Sequence, residues 1–416
     1  MSETMSSFNA AVKEFYSGAK IENLCIKNQP LYARTKRDNS FVGLDYYRVP
    51  LIIGNASGVS TDFATAQANG LSTSSTIKGF KVTRHSAYSI GYIDSVLMSA
   101  SKGPGAFIEA NKVMLDSVVL GLARDTGIAM YKTGFSERGQ IASISTTSIT
   151  LTNANDAMNF EVGNHLDLSA LLGAGAAAKA HGSSSGLIVT KVNRTAGTLT
   201  FAANVTDASV GVPTALQGDY IFLEGDVSTT RNKLAGLAAW LPTSAPSAGE
   251  DFFGVDRSVD TDRLAGIRFN ASNGIPMYEA LTSTANLVGS AGGKPDSLYL
   301  SFTRFAELVN ALETKVRYDK IEEKKGVVGF NGIEVLTPTG LVSVFPDVNC
   351  PNNVAYLLQS DTWKLPTLGS AEKHLQEDTL AMRYAYNADK LEIRYRATVS
   401  FCCTAPGWNA CIVLPS

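Results

Sequence analysis

At 416 residues the chain is long enough for two or three compact domains, each burying its own core, so its stability requires no disulfide framework and no metal staple. Hydrophobic residues make up 44% and charged residues 18%, which excludes a disordered chain, and 36 glycines point to many turns and sheet connections. A formal charge of −2 excludes the broad basic field of a dedicated DNA-binding protein and leaves room for local contact with nucleic acid alone.

Five cysteines, Cys25, Cys350, Cys402, Cys403 and Cys411, are odd in number and contain no CxxC pair, which reads as reduced thiols. The opening Met1-Ser2-Glu3-Thr4-Met5 has neither a basic region nor an apolar run, and no stretch approaches the ~18 uninterrupted apolar residues of a membrane helix. The expectation is a soluble protein made in a cytosol. Sequons such as Asn193-Arg194-Thr195 then carry no weight.

Residues 1–47 combine a short amphipathic stretch, Phe8 to Tyr16 with Val12 and Phe15 between, with a long segment that shows no period; they read as an arm laid over a neighbouring surface. Residues 48–100 are rich in β-branched and aromatic side chains around a polar centre, Asn69-Gly70-Leu71-Ser72-Thr73-Ser74-Ser75-Thr76, and predict a long two-stranded excursion. Two strands alone are marginal in water, so this hairpin should lie against something else. Residues 101–138 open on Gly103-Pro104-Gly105, where proline suits the first turn of a helix. The following run, Ala106 to Tyr131, places Ile108, Leu115, Val118, Val119, Leu122 and Ala129 on one stripe, and its helix would span about 39 Å.

Residues 139–228 shift towards Ser, Thr, Ala and Gly, with strands predicted at Gln140–Ser145, Ser148–Leu151, Leu187–Val192, Thr198–Ala202 and Tyr220–Leu223 and a turn over Asn193 to Gly197. Short strands with this punctuation indicate a small inserted all-β module. Residues 229–274 lead back into α/β pattern. In residues 275–369, helices are predicted from Pro276 to Val288 and from Thr303 to Leu312, with strands at Ser297–Leu300, Gly332–Leu336 and Val354–Leu358. Residues 370–416 close the chain with further strand, notably Leu391 to Arg396.

Several places imitate chemistry and each fails on a named residue. Gly173-Ala174-Gly175-Ala176-Ala177-Ala178 fits a dinucleotide fingerprint, yet no acidic residue occurs between Leu168 and Thr206 to hold a ribose. Gly292-Gly293-Lys294 resembles the end of a phosphate loop, but Val288 stands where the first glycine belongs and Pro295 where Ser or Thr must hold magnesium. Asp256, Asp260 and Asp262 lie close in sequence beside Arg257 and Arg263, which suits caps and salt bridges better than a calcium loop. The histidines, His85, His165, His181 and His374, are scattered and read as surface residues. Cys402-Cys403 sits in an apolar run as small buried hydrophobes, and the mixed charges from Lys315 to Lys325 read as a solvated loop. No catalytic, cofactor-binding or metal-ligating residue is assigned, and no enzymatic activity is expected.

The order of parts resembles the major capsid protein of tailed bacteriophages, the Hong Kong-type α+β capsid fold. Local wording agrees: Gly254-Val255-Asp256-Arg257-Ser258 with Arg263-Leu264-Ala265-Gly266, Gly292-Gly293-Lys294-Pro295-Asp296, Gly329-Phe330-Asn331-Gly332-Ile333, Asp361-Thr362-Trp363-Lys364-Leu365 and Ala405-Pro406-Gly407-Trp408-Asn409. The resemblance implies an N-terminal arm (1–47), an extended β loop (48–100), the spine helix of a peripheral domain (101–138), an inserted β domain (139–228), more peripheral domain (229–274), an axial domain (275–369) and a return to the peripheral domain (370–416). It further implies copies of the chain in hexamers and pentamers, a separate scaffolding protein, a portal protein and packaged double-stranded DNA held by non-specific contact, and it leaves open whether a decoration protein is added. The expected location is the virion capsid, assembled in host cytoplasm. Some relatives crosslink through a lysine of the extended loop; Lys78 and Lys81 lie in the matching region, but lysines there also serve simply to keep a strand edge soluble. The alternative with the same fold is the shell of a cellular nanocompartment.

Overall fold

A computed structural model describes residues 29–38, 46–54, 58–72, 76–96, 110–182, 187–312, 333–368, 373–374, 383–386 and 388–415. The amphipathic stretch 8–16, Cys25, the Gly-Pro-Gly turn at 103–105 and the charge run 315–325 lie outside them.

The long helix runs over Ala110–Ala129, and its apolar residues recur at the spacing that keeps one face inward. Met114, Val118 and Leu122 are buried, with Leu115 and Val119 packed against the same core. The helix ends as tighter hydrogen bonds form, Tyr131 N–H to the Ile128 carbonyl at 3.1 Å and Lys132 N–H to that of Ala129 at 3.1 Å. It lies on an antiparallel ladder in which His85–Asp94 pairs along its whole length with Lys390–Val399. Gly91 sits under the helix. A Cβ there would stand 2.6 Å from the Met114 sulfur and 2.7 Å from a Val118 methyl carbon, so the approach of helix to strand needs a residue without a side chain.

The stretch 48–100 is divided differently from the expected excursion. Tyr46–Gly54 and Thr76–Thr83 do pair antiparallel, from Tyr46 opposite Thr83 to Ile52 opposite Ile77. The polar centre, however, ends a helix, Phe63–Ser72. Asp62 caps it by accepting from the Thr65 N–H at 2.9 Å, and the alanines of Phe63-Ala64-Thr65-Ala66-Gln67-Ala68 favour helix over turn. His85–Asp94 belongs to the ladder under the long helix.

Residues 139–223 close into a barrel in which Tyr220–Leu223, Gly139–Ile144, Ser148–Leu151, Thr198–Phe201, Leu187–Asn193 and His165–Ser169 are neighbours in turn. His165–Ser169 was not predicted. Asp167 is buried together with Leu166 and Leu168, so the polar and apolar alternation that marks a half-buried strand is missing there.

A six-stranded sheet carries the rest, in the order Ile267–Asn270, Ala410–Val413, Val354–Leu358, Ser297–Leu300, Gly340–Pro346 and Ile333–Thr337. Every residue of Val354–Leu358 and Ser297–Leu300 is buried, as befits strands inside a covered sheet. Helix Met277–Ser290 turns Ala280, Leu281, Thr284, Ala285 and Val288 towards it. An aromatic cluster joins the hairpin to the body: Trp240 meets Phe80 at 5.1 Å, Phe252 at 5.0 Å and Trp363 at 6.5 Å, all edge to face.

Gly236 fixes how the return from the barrel passes the helix end. A Cβ at this position would stand 2.3 Å from the Ala129 carbonyl oxygen, which is backbone and has no rotamer to yield. Gly236→Ala should therefore lower the unfolding free energy by about 1–3 kcal/mol in urea titration, and an unchanged midpoint would show that the backbone gives way freely.

Candidate interaction surface

The hairpin Tyr46–Gly54 and Thr76–Thr83 with its tip helix projects a row of apolar side chains into solvent. Val59, Phe63 and Leu71 are 87%, 81% and 85% exposed, with Ile52 and Ile77 beside them on the strands. An exposed cluster of large apolar residues marks a surface that expects cover. The strands are anchored to the body along their length: Phe80 and Val82 are buried, the Lys81 N–H donates to the Phe253 carbonyl at 2.9 Å, and Arg263 donates to the Ile53 carbonyl near the tip. Between hairpin and body lies a groove of about 810 Å³ lined in part by Ile52, Asp260, Arg263, Ala291 and Trp408. Lys78 and Lys81 both lie on the second hairpin strand.

The places that imitate chemistry are built into the fold. Gly173 and Gly175 take φ of +76° and +82° in the loop after His165–Ser169, and among the described residues 176–182 no helix follows to receive a pyrophosphate. Gly292, at φ +87°, and Gly293, whose N–H returns to the Val288 carbonyl at 3.0 Å, close the end of helix Met277–Ser290. Asp256 accepts from the Ser258 N–H at 2.9 Å, Asp260 from the Arg263 N–H at 3.0 Å, and Asp262 pairs with Arg268 at 3.1 Å. The three carboxylates thus face three different partners. Arg257 is buried, donating to the Ala239 carbonyl at 2.7 Å and to Glu250 at 2.6 Å while its guanidinium lies 3.9 Å from the centre of the Phe252 ring.

The histidines depart from a simple surface assignment. His181 is within 2.6 Å of Asp167 with its side chain 15% exposed, and His165 is within 3.2 Å of Glu224. Both pairs clasp barrel segments that the sequence keeps apart. His85 is partly buried, and burial, with Arg231 nearby, lowers its pKa to about 4. Cys350, Cys402, Cys403 and Cys411 are free and buried, and burial pushes the thiol of Cys403 up to about 12. Unreactive thiols follow. Asp347, 1% exposed, takes hydrogen bonds from Tyr131 Oη at 2.9 Å and the Asn349 N–H at 2.9 Å, and burial raises its pKa. Among the described residues no group of three or more His, Cys, Asp or Glu is placed to hold a metal ion, and no helix is long and apolar enough to cross a membrane.

No family model and no curated protein matches the chain. Solved structures do. A chain of the cyanophage A-1(L) capsid asymmetric unit is 12% identical with a TM-score of 0.50, and the match covers 95% of each chain. A capsid chain of a native GTA particle is 9% identical, TM-score 0.46, over 98% of this chain and 99% of that one. The holo-SrpI encapsulin of Synechococcus elongatus is 8% identical, TM-score 0.46, over 99% and 96%. At such identities the likeness is one of fold: this is an α+β chain with the architecture of the cyanophage A-1(L) capsid protein along nearly its whole length.

Proposed function

We propose that the chain is the major capsid subunit of a tailed bacteriophage, copies of which assemble into the icosahedral shell around the phage genome. The observation that carries this reading is the shared fold over 95% of both this chain and a cyanophage capsid chain. The exposed apolar hairpin supports it, because a shell subunit needs separate surfaces that close on copies of itself under symmetry. On this reading the hairpin within residues 48–100, up to Thr83, is the extended loop, 139–228 the inserted domain and 275–369 the axial domain around which hexamers and pentamers form. Scaffolding, portal and decoration proteins would be the partners, and DNA would meet the shell through local, non-specific contact. Catalysis has no place in this scheme.

Electron microscopy of the chain co-expressed with a scaffolding protein tests the proposal. Closed icosahedral particles are expected. Persistent monomers would refute it, and particles from infected cells that held enzyme cargo in place of genomic DNA would favour a nanocompartment shell.

A further inference from the structure

The barrel is joined to the rest of the chain by a seam rich in charge. Its core, around Leu166, Leu199, Phe201 and Ile221, is a separate apolar cluster from the one that holds the long helix. The outgoing segment 130–138 and the returning segment 224–236 join the two, with Met130, Tyr131, Leu234 and Ala235 still packed in the cluster of the helix. Asp125 sits at the centre. It pairs with Arg138, at the entry to the barrel, and at 3.0 Å with Lys233, on the return.

Further pairs flank it. Lys233 also reaches Asp226 at 3.2 Å, Lys132 reaches Asp156 at 2.8 Å, and Arg124 reaches Glu161. Glu137 accepts from the Thr133 N–H at 2.6 Å, and its buried Oε2 has no hydrogen-bond partner. A cavity of about 10 Å³, bounded by Asp125, Lys132, Glu137, Arg138 and Lys233, is near the size of one water molecule. A second, of about 20 Å³, lies between Asp125, Lys233 and His85. Neutral contacts cross the boundary as well: Asn155 donates to Asn352 at 2.8 Å, and the Phe135 ring packs on Gly173.

We propose that this seam is an electrostatic hinge: when Asp125 loses its charge, the barrel uncouples from the long helix as a folded unit, tethered by its two connecting segments. Without the carboxylate, buried Arg138 loses the partner it pairs with and Lys233 keeps only Asp226, and stranding a buried cation is far more costly than losing an exposed pair. The separate barrel core has no such dependence.

Acid should act through the same groups. Burial pushes the Asp125 carboxyl up, yet Arg138 and then Lys233 outweigh it, so its pKa lies below the ordinary 3.8. Its contribution is therefore present above that value and is lost as pH falls through the depressed one. His85 adds to this. With a pKa near 4 against an ordinary 6.5, it resists a proton that an opened seam would accept, so the closed form weakens as pH drops through that window. The charged groups facing Asp125 and His85 are Arg138, Lys233, Lys132, Glu137 and Arg231, with Asp156 and Asp226 one pair further out.

Hydrogen exchange on the full chain at pH 7 tests the hinge. In Asp125→Asn, peptides covering 130–138 and 226–236 should exchange at least about tenfold faster, while Ser148–Leu151 and Thr198–Phe201 keep their protection. Lys233→Met leaves the Asp125–Arg138 pair in place and should give a smaller rise in the same two segments. It decides the matter if Asp125→Asn does not fold. A rise that includes the barrel strands, or none at the seam, would overturn the proposal.

Discussion

Trp240→Ala should lower the free energy of unfolding by about 3–5 kcal/mol, a substantial part of what a domain possesses. The ring is fully buried and meets Phe80, Phe252 and Trp363 edge to face. Its indole N–H donates to the Phe401 carbonyl at 3.0 Å, so truncation opens a cavity and also strands a buried acceptor. Both effects fall at the point where the hairpin strand, through Phe80, enters the core. Urea unfolding of the purified subunit measures the loss. A change below about 1 kcal/mol would mean that the cluster repacks around the void and is not the anchor that its geometry implies.

Replacing Phe63 and Leu71 together with serine should leave the subunit folded and reduce particle formation at least about tenfold, since each buried large apolar side chain contributes about 1.5–3 kcal/mol to a contact. Both side chains are more than 80% exposed, so the isolated chain has little to lose. In a shell, the loss is repeated at every equivalent contact. Deleting residues 69–76 would instead remove the end of the tip helix and the Thr76 pairing with Gly54, mixing a folding defect with an assembly defect. The serine pair avoids that. Co-expression with scaffolding protein, followed by sedimentation and a melting curve, separates the outcomes: unchanged particle yield would sink the hairpin as an assembly surface, and a lowered melting temperature would show that the tip packs on its own chain.

Much of the architecture was legible where local pattern and burial agree. Ser148–Leu151, Tyr220–Leu223, Ser297–Leu300 and Val354–Leu358 stand where their apolar runs and flanking turns put them, and helix Met277–Ser290 begins one residue after its expected proline start. What stayed hidden is decided by distant partners. Nothing in His85–Asp94 announces that it pairs with Lys390–Val399 and not with its sequence neighbour, because either arrangement satisfies the same alternation. Closure of the barrel turned on His165–Ser169, whose buried Asp167 breaks the pattern because His181 and the Gly225 N–H satisfy it. The tip helix was lost to a polar stretch that resembles a turn until Asp62 is seen as its cap.

The partners of the carboxylates between 256 and 262 were easier to read than the interaction surface. Asp256, Asp260 and Asp262 each had an adjacent hydroxyl, amide or arginine to satisfy, and they do so within a few residues. The surface is different in kind. Exposure of Phe63 and Leu71 depends on which side of a helix the rest of the chain leaves uncovered, and that is a property of the whole fold. The charged seam lay beyond sequence reasoning for the same cause: Asp125, Arg138 and Lys233 come from three segments, the last of which returns only after the barrel is complete.

The placement of Ala410–Val413 has a bearing on manufacture. This strand lies inside the six-stranded sheet, parallel to Ile267–Asn270 on one side and antiparallel to Val354–Leu358 on the other. Translation must therefore have passed residue 413 before those two strands can be joined. A chain stopped earlier would keep two raw edges in place of a closed sheet, and such edges invite misdirected pairing.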